Sequence, residues 1–192
     1  MAKKYDFQPD KPYSGFLSKL FLTARQRRSL LKWTLYCLVL LVLSVLQDVI
    51  LCDLRLLGAT TELVPCAIFL ICLLEGTETG SVFSLVASLV YLFSGTAPGV
   101  YSMVFITVIG IGICIFRQSF LQKGFGTAML CTSAAILLYQ LAVFVIGLFL
   151  GLTIPARILG FLITALLSII AVPVLYPVLL SIGTIGGETW KE

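Results

Sequence analysis

The sequence predicts an all-α polytopic integral membrane protein, built as a bundle of six transmembrane helices. Hydrophobic residues make up 59% of the 192 residues, charged residues only 11%, and mean hydropathy is +1.09. Charged residues in soluble domains run at about a quarter. The apolar residues also fall into six runs parted by short breaks rich in Gly, Pro or charge. A spanning helix takes about 20 residues, so six helices nearly exhaust the chain and leave no room for a second, soluble domain.

The first element is a basic tail, residues 1–28, in which Lys3, Lys4, Lys11, Lys19, Arg25, Arg27 and Arg28 face only Asp6 and Asp10. Lysine and arginine collect in cytoplasmic loops near span ends. With Lys32 at the mouth of the first apolar run, they place the N-terminus in the cytoplasm. That run is too long for the apolar core of a secretory signal, and no Ala-x-Ala pattern follows it, so it is expected to be a retained span. The segment KLFLTARQRRSLLKW, residues 19–33, sets Lys19, Arg25, Arg27, Arg28 and Lys32 beside the membrane. Anionic lipid attracts such cations by about 1 kcal/mol each. The patch is short and no nucleic-acid-binding motif accompanies it, so anionic lipid rather than nucleic acid is the expected partner.

The membrane domain, residues 29–183, holds spans at roughly 30–51, 60–75, 79–94, 100–116, 126–151 and 156–181. DLRLLG, GTETG, SGTAPG, RQSFLQKG and GLTIPAR separate them. The second and third runs are short: they either cross a thin stretch of membrane or form a hairpin shielded by neighbours, because irregular backbone at membrane depth needs protein cover. Six crossings put Arg117, Lys123 and the tail 184–192 with Lys191 in the cytoplasm, leaving Arg55 and Arg157 outside. A third segment that failed to cross would move Arg117 and Lys123 outside, so the charges favour six.

Little in the chain supports catalysis. Without histidine there is no Ser-His-Asp arrangement, no His-bearing metal site and no imidazole base. Cys37, Cys52, Cys66, Cys72, Cys114 and Cys131 form no C-x-x-C and sit mostly in apolar runs, where cysteine acts as a small hydrophobe. No phosphate-binding G-x-x-x-x-G-K-[ST] occurs. The expectation is a protein that is not an enzyme and holds no cofactor or metal. Carboxylates at membrane depth would be functional candidates. Asp48 lies near the outer end of the first span, Glu62 precedes the second, and Glu75 and Glu78 flank Gly76 in the next turn. All four read as interfacial.

The stretch LLEGTETGSVFSLVASLVYLFSG, residues 73–95, repeats a small residue every fourth position: Gly76, Gly80, Ser84 and Ser88. On a helix these share one face. Membrane helices use such a seam to bring backbones together, since lipid supplies no hydrophobic drive between them. Ala156, Gly160, Thr164 and Ser168 repeat the pattern in the last span, and Gly147 with Gly151 do so at the end of the fifth. The seams serve either helix packing within the chain or contact with a partner.

The run ELVPCAIFLICLLEGTETGSVFSLVASLVYLFSGTAPGVYSMVFITVIGIGICIFRQSF, residues 62–120, resembles the core of the rod shape-determining MreD family. That family shows a polar residue and Pro opening the second span, a G-x-x-x-G turn, a Ser-Gly loop after the third span and a basic loop after the fourth. Here those positions are Glu62 and Pro65, Gly76 and Gly80, Ser94, Gly95 and Gly99, then Arg117 and Lys123. PVLYPVLLSIG, residues 173–183, resembles the family's last-span ending. A Gly-x-x-x-Asp pattern late in the third span, carried by many members, is missing: Ala87 and Ser88 are followed by Val90, Tyr91 and Leu92.

The resemblance implies a non-enzymatic scaffold in the bacterial inner membrane. It would bind MreC and, through it, MreB and the RodA–penicillin-binding protein synthase that builds lateral peptidoglycan and rod shape. It also implies a bundle similar to the substrate-binding S component of energy-coupling-factor vitamin transporters. Such a component is the rival reading of function. Those proteins carry Ala-x-x-x-Ala on the first helix, and LLKWTLYCLVLLVLSVLQDVIL contains no alanine.

Overall fold

A computed structural model describes residues 24–51, 60–95, 97–120 and 124–185. Among them every regular element is helical. Helix α1 (Ala24–Leu46) runs on through a π-helical turn, Gln47–Leu51. Helices α2 (Leu63–Glu75), α3 (Thr77–Phe93), α4 (Val100–Phe120), α5 (Phe125–Phe149) and α6 (Ile158–Ile185) follow, the last preceded by a 3-10 turn at Pro155–Arg157. Among the described residues, α1 to α6 overlap the six apolar runs. Four segments are long and apolar enough to cross a membrane: Arg27–Val49, Val100–Gln118, Phe125–Phe149 and Pro155–Ile185. The protein is therefore a helical membrane protein.

The exceptions are α2, with 13 residues, and α3, with 17. At ~1.5 Å per residue they measure about 20 and 26 Å, against a hydrocarbon thickness of about 30 Å. Every residue of α2 from Leu63 to Leu74 is buried, as expected of a helix that is apolar all round. The other five helices surround it. Tyr36 reaches it from α1, Gln47 from the π-helical turn after it, Gly80 from α3 and Cys114 from α4, while Tyr139 of α5 packs edge-on against Phe69 and Ser168 of α6 bonds its N-cap.

A helix starting inside a bundle must find acceptors for its first four N–H groups. Glu62, the N-cap residue of α2, makes no side-chain cap bond. Other helices supply the acceptors. The Glu62 N–H donates to Ser168 Oγ at 3.0 Å, and the Leu63 and Val64 N–H groups donate to Gln47 Oε1 at 2.9 and 3.2 Å. The fourth position is Pro65, which has no N–H to satisfy. The α2 start is fully accounted for without water.

One residue, Gly76, joins α2 to α3. Its φ of 96° and ψ of −174° lie in a region open essentially to glycine alone. An added Cβ would also stand 3.0 Å from Arg117 Nη1. Gly76 is thus the pivot of the hairpin rather than a member of the helical seam. The seam proper begins at Gly80, where a Cβ would lie 2.9 Å from Cys114 Sγ and 3.1 Å from Cys72 O.

Candidate functional site

Helix α2 carries a carboxylate at each end, and each is the centre of a polar cluster. At the first, Lys32 Nζ donates to Glu75 Oε2 at 2.5 Å and Tyr36 Oη to Glu75 Oε1 at 2.7 Å. The Lys32 ammonium also stands 5.5 Å from the Trp33 ring centre, and Trp33 and Tyr36 both pack on Phe83 of α3. Arg117 approaches from α4 and interacts with Glu75. This cluster ties α1, α2, α3 and α4 together.

Two sequence expectations are corrected here. Lys32 is buried and paired, so it is not a lipid-surface cation. Glu75 is held by Lys32 and Tyr36 rather than facing headgroups. Glu78 is exposed, and so are Arg27 and Arg28. Lys19 and Lys123 lie outside the described residues, as does the side chain of Arg25.

The second cluster surrounds Glu62. Ser168, its hydrogen-bond partner, lies ten residues beyond Ile158, about 15 Å along α6. Tyr139, beside its carboxyl, lies ten residues before Phe149, about 15 Å along α5. Both helices thus hold the Glu62 cluster away from the α5–α6 turn, while Gln47, which bonds the next two N–H groups, lies two residues from the end of the segment Arg27–Val49. Its carboxyl interacts with Tyr139 and Gln140 of α5, and electrostatically with Tyr91 of α3. Asp48, in the π-helical turn, is half-buried on the Tyr91 side. Asp48 Oδ1, Glu62 Oε2, Tyr91 Oη, Tyr139 Oη and Gln140 Nε2 are all covered; Tyr139 and Gln140 lie within reach of the Glu62 carboxyl, but none of these atoms closes a well-formed hydrogen bond. Native proteins leave few such atoms, and each calls for an explanation.

The first small-residue seam is spent inside the chain. Ser84 Oγ donates to the Ile106 carbonyl of α4 at 3.2 Å, and Ser88 Oγ pairs with Thr107 Oγ1 at 2.9 Å. Gly110 of α4 answers the seam: a Cβ there would meet Ser84 Oγ at 2.3 Å. The second seam divides. Thr164 and Ser168 are buried, whereas Gly160 has nothing within 4 Å of an added Cβ, and Ala156 is exposed in the 3-10 turn before α6. A four-residue repeat forms one face only where the helix is continuous, and α6 begins at Ile158.

Comparison with known protein families, curated proteins and solved structures returns no match.

Sequence reading missed Tyr36, Gln47, Tyr91, Tyr139 and Gln140. The signal was available for two of them: Gln47 and Gln140 are glutamines inside apolar runs. Tyrosine blends into such runs, and nothing in the spacing brings residues 91 and 139 to residue 62. Among the described residues, no three His, Cys, Asp or Glu side chains converge as a metal site.

Proposed function

We propose that this protein is a non-enzymatic scaffold of the bacterial elongation machinery, residing in the inner membrane and binding MreC. Through MreC it would connect to MreB and the RodA–penicillin-binding protein synthase. On this reading six helices cross the membrane with the N-terminus in the cytoplasm, and the fold is similar to an S component.

The observation that carries the reading is the role of Gly76 and Gly80, the G-x-x-x-G turn among the motifs of the MreD resemblance. One occupies a backbone conformation closed to other residues, and the other seats α3 against Cys72 and Cys114. The motif thus has a physical requirement behind it. The polar cluster at Lys32 and Glu75 supports the same reading, since it locks helices together and presents no nucleophile. Orientation is supported by exposed Arg27 and Arg28 at the Lys32 end of α1.

Co-purification with MreC from membranes tests the proposal. Recovery of MreC at a fixed ratio is the expected result, and its loss with a well-folded protein would sink the reading. The vitamin-transporter component remains the second reading. A melting temperature that climbs with a single water-soluble vitamin would select it.

A further inference from the structure

Helices α1 and α3 meet at one end and part beyond it. Trp33 and Tyr36 of α1 pack on Phe83 of α3, with ring centres 5.4 and 6.1 Å apart. Past that contact a groove of about 490 Å³ opens between the two helices, within the range of ligand sites, about 300–1,000 Å³. Cys37, Leu41, Ser44 and Val45 form its α1 wall, at the spacing of one helical face. Phe83, Val86, Val90 and Phe93 form the α3 wall. The groove is deep: Leu40, Ala87 and Tyr91 in its lining are 8%, 4% and 2% exposed, and it reaches Val64 at the start of α2.

We propose that this groove holds one acyl chain of a membrane phospholipid. The lining sets the chemistry. No Asp, Glu, Lys or Arg side chain contributes to it, so the matching occupant is uncharged along its length. The place of the groove in the span sets the length. Cys37 lies at the middle of the segment Arg27–Val49 and Val45 near its end, in the half away from the exposed Arg27 and Arg28. At ~1.5 Å per residue the groove follows α1 for about 12 Å from Cys37 to Val45, and α3 for about 15 Å from Phe83 to Phe93. Half of a hydrocarbon core about 30 Å thick is the same distance. The groove is one leaflet deep, which is the reach of one acyl chain.

The width excludes a helix. Spread over about 15 Å, this volume leaves a mean cross-section of roughly 30 Å², against roughly 80 Å² for a helix about 10 Å across. A span from a partner or from a second copy is too wide to enter. Lipid at an ordinary outer face touches protein on one side, whereas a chain in the groove is touched by α1, by α3 and by the floor between them, and each contact adds dispersion energy. Such a chain stays bound when detergent strips its neighbours.

The test uses tryptophan quenching in purified full-length protein. Trp33 packs on Phe83 at the mid-span end of the groove, and Trp190→Phe leaves it the sole tryptophan. In detergent, phosphatidylcholine brominated near the chain ends should quench Trp33 in a saturable phase of one lipid per protein at low lipid fraction. Unlabelled phosphatidylcholine should reverse it. Ser44→Phe and Ala87→Leu fill the groove and should abolish that phase, whereas Val108→Phe, on the exposed side of α4, should retain it. Quenching that rises with lipid fraction without saturating overturns the site, as does a saturable phase unchanged in both groove variants. Quenching that falls as protein concentration rises at fixed lipid fraction assigns the groove to a second copy and also overturns it. Should Ala87→Leu fail to fold, Ser44→Phe decides alone. None of these outcomes depends on MreC recovery, so failure here and failure of the scaffold reading are separable.

Discussion

Gln47 Oε1 on the π-helical turn after α1 accepts the backbone N–H groups of both Leu63 and Val64, at 2.9 and 3.2 Å. One side chain thus closes the start of a helix that belongs to another part of the chain. Gln47→Leu keeps the bulk and removes the acceptor, leaving two buried donors unpaired. A stability loss of about 1–3 kcal/mol for each is expected, read as a shift of the unfolding midpoint in mixed detergent micelles. Gln47→Glu retains an acceptor at the same reach and should recover part of the loss. Wild-type stability in Gln47→Leu would show that α2 needs no outside cap.

Gly76→Ala must force alanine into a backbone region that costs about 1–3 kcal/mol, with Arg117 Nη1 3.0 Å from the new methyl. Its control is Gly112→Ala, on the exposed side of α4 with nothing within 4 Å. There the methyl should be neutral or stabilise by up to about 1 kcal/mol through helix propensity. Equal midpoints for the two variants would remove the conformational argument for Gly76.

Gly80→Leu and Ser84→Leu should prevent stable accumulation, because α3 and α4 meet backbone to side chain at these positions. Leu85→Phe, at an exposed site, should accumulate normally. Gly160→Leu separates packing from partner contact: the bundle has space for it, so folding should be unchanged. If Gly160→Leu accumulates normally but loses MreC, the first turns of α6 are the contact face; if it misfolds, the open space at Gly160 is refuted.

The Lys32–Glu75 pair predicts a non-additive cycle. Glu75→Leu strands a buried ammonium and should cost about 3–5 kcal/mol. Lys32→Met combined with Glu75→Leu should recover most of that, since well-packed apolar replacements of a buried pair are often neutral. Additive losses in the cycle would mean that the two groups do not depend on each other.

Topology is checked by reporter insertion. A reporter active only outside the cytoplasm should signal at Pro98, between α3 and α4, and stay silent at Gly124, before α5. Silence at Pro98 with signal at Gly124 would mean that α3 does not cross.

The helices were largely legible because glycine, proline and charge punctuate the apolar runs, and those breaks fall at helix ends. Gly80, Ser84 and Ser88 were legible too, because a repeat of four on an unbroken helix reports a face directly. Gly160 was not: it shares the α6 face of Thr164 and Ser168 but sits in the helix's first turn, where no neighbour comes within 4 Å of an added Cβ. The partners of Glu62 were hidden for another reason: they follow from where α5 and α6 pass α2, and those residues are more than 70 positions away.

The burial of α2 on every side bears on how the chain is put together in the cell. Its 12 buried positions, Leu63 to Leu74, offer no face to lipid, and its length of about 20 Å is short for a free-standing span. During synthesis this segment leaves the ribosome after α1 alone, before four of the five helices that will sheathe it exist. Its opening N–H groups have Gln47 available at that stage but not Ser168, which is made last. The segment must therefore wait, held as a hairpin with α3 or retained at the insertion machinery, until α6 arrives. Truncation before Ser168 should accordingly yield a chain that the quality-control proteases of the membrane recognise and remove.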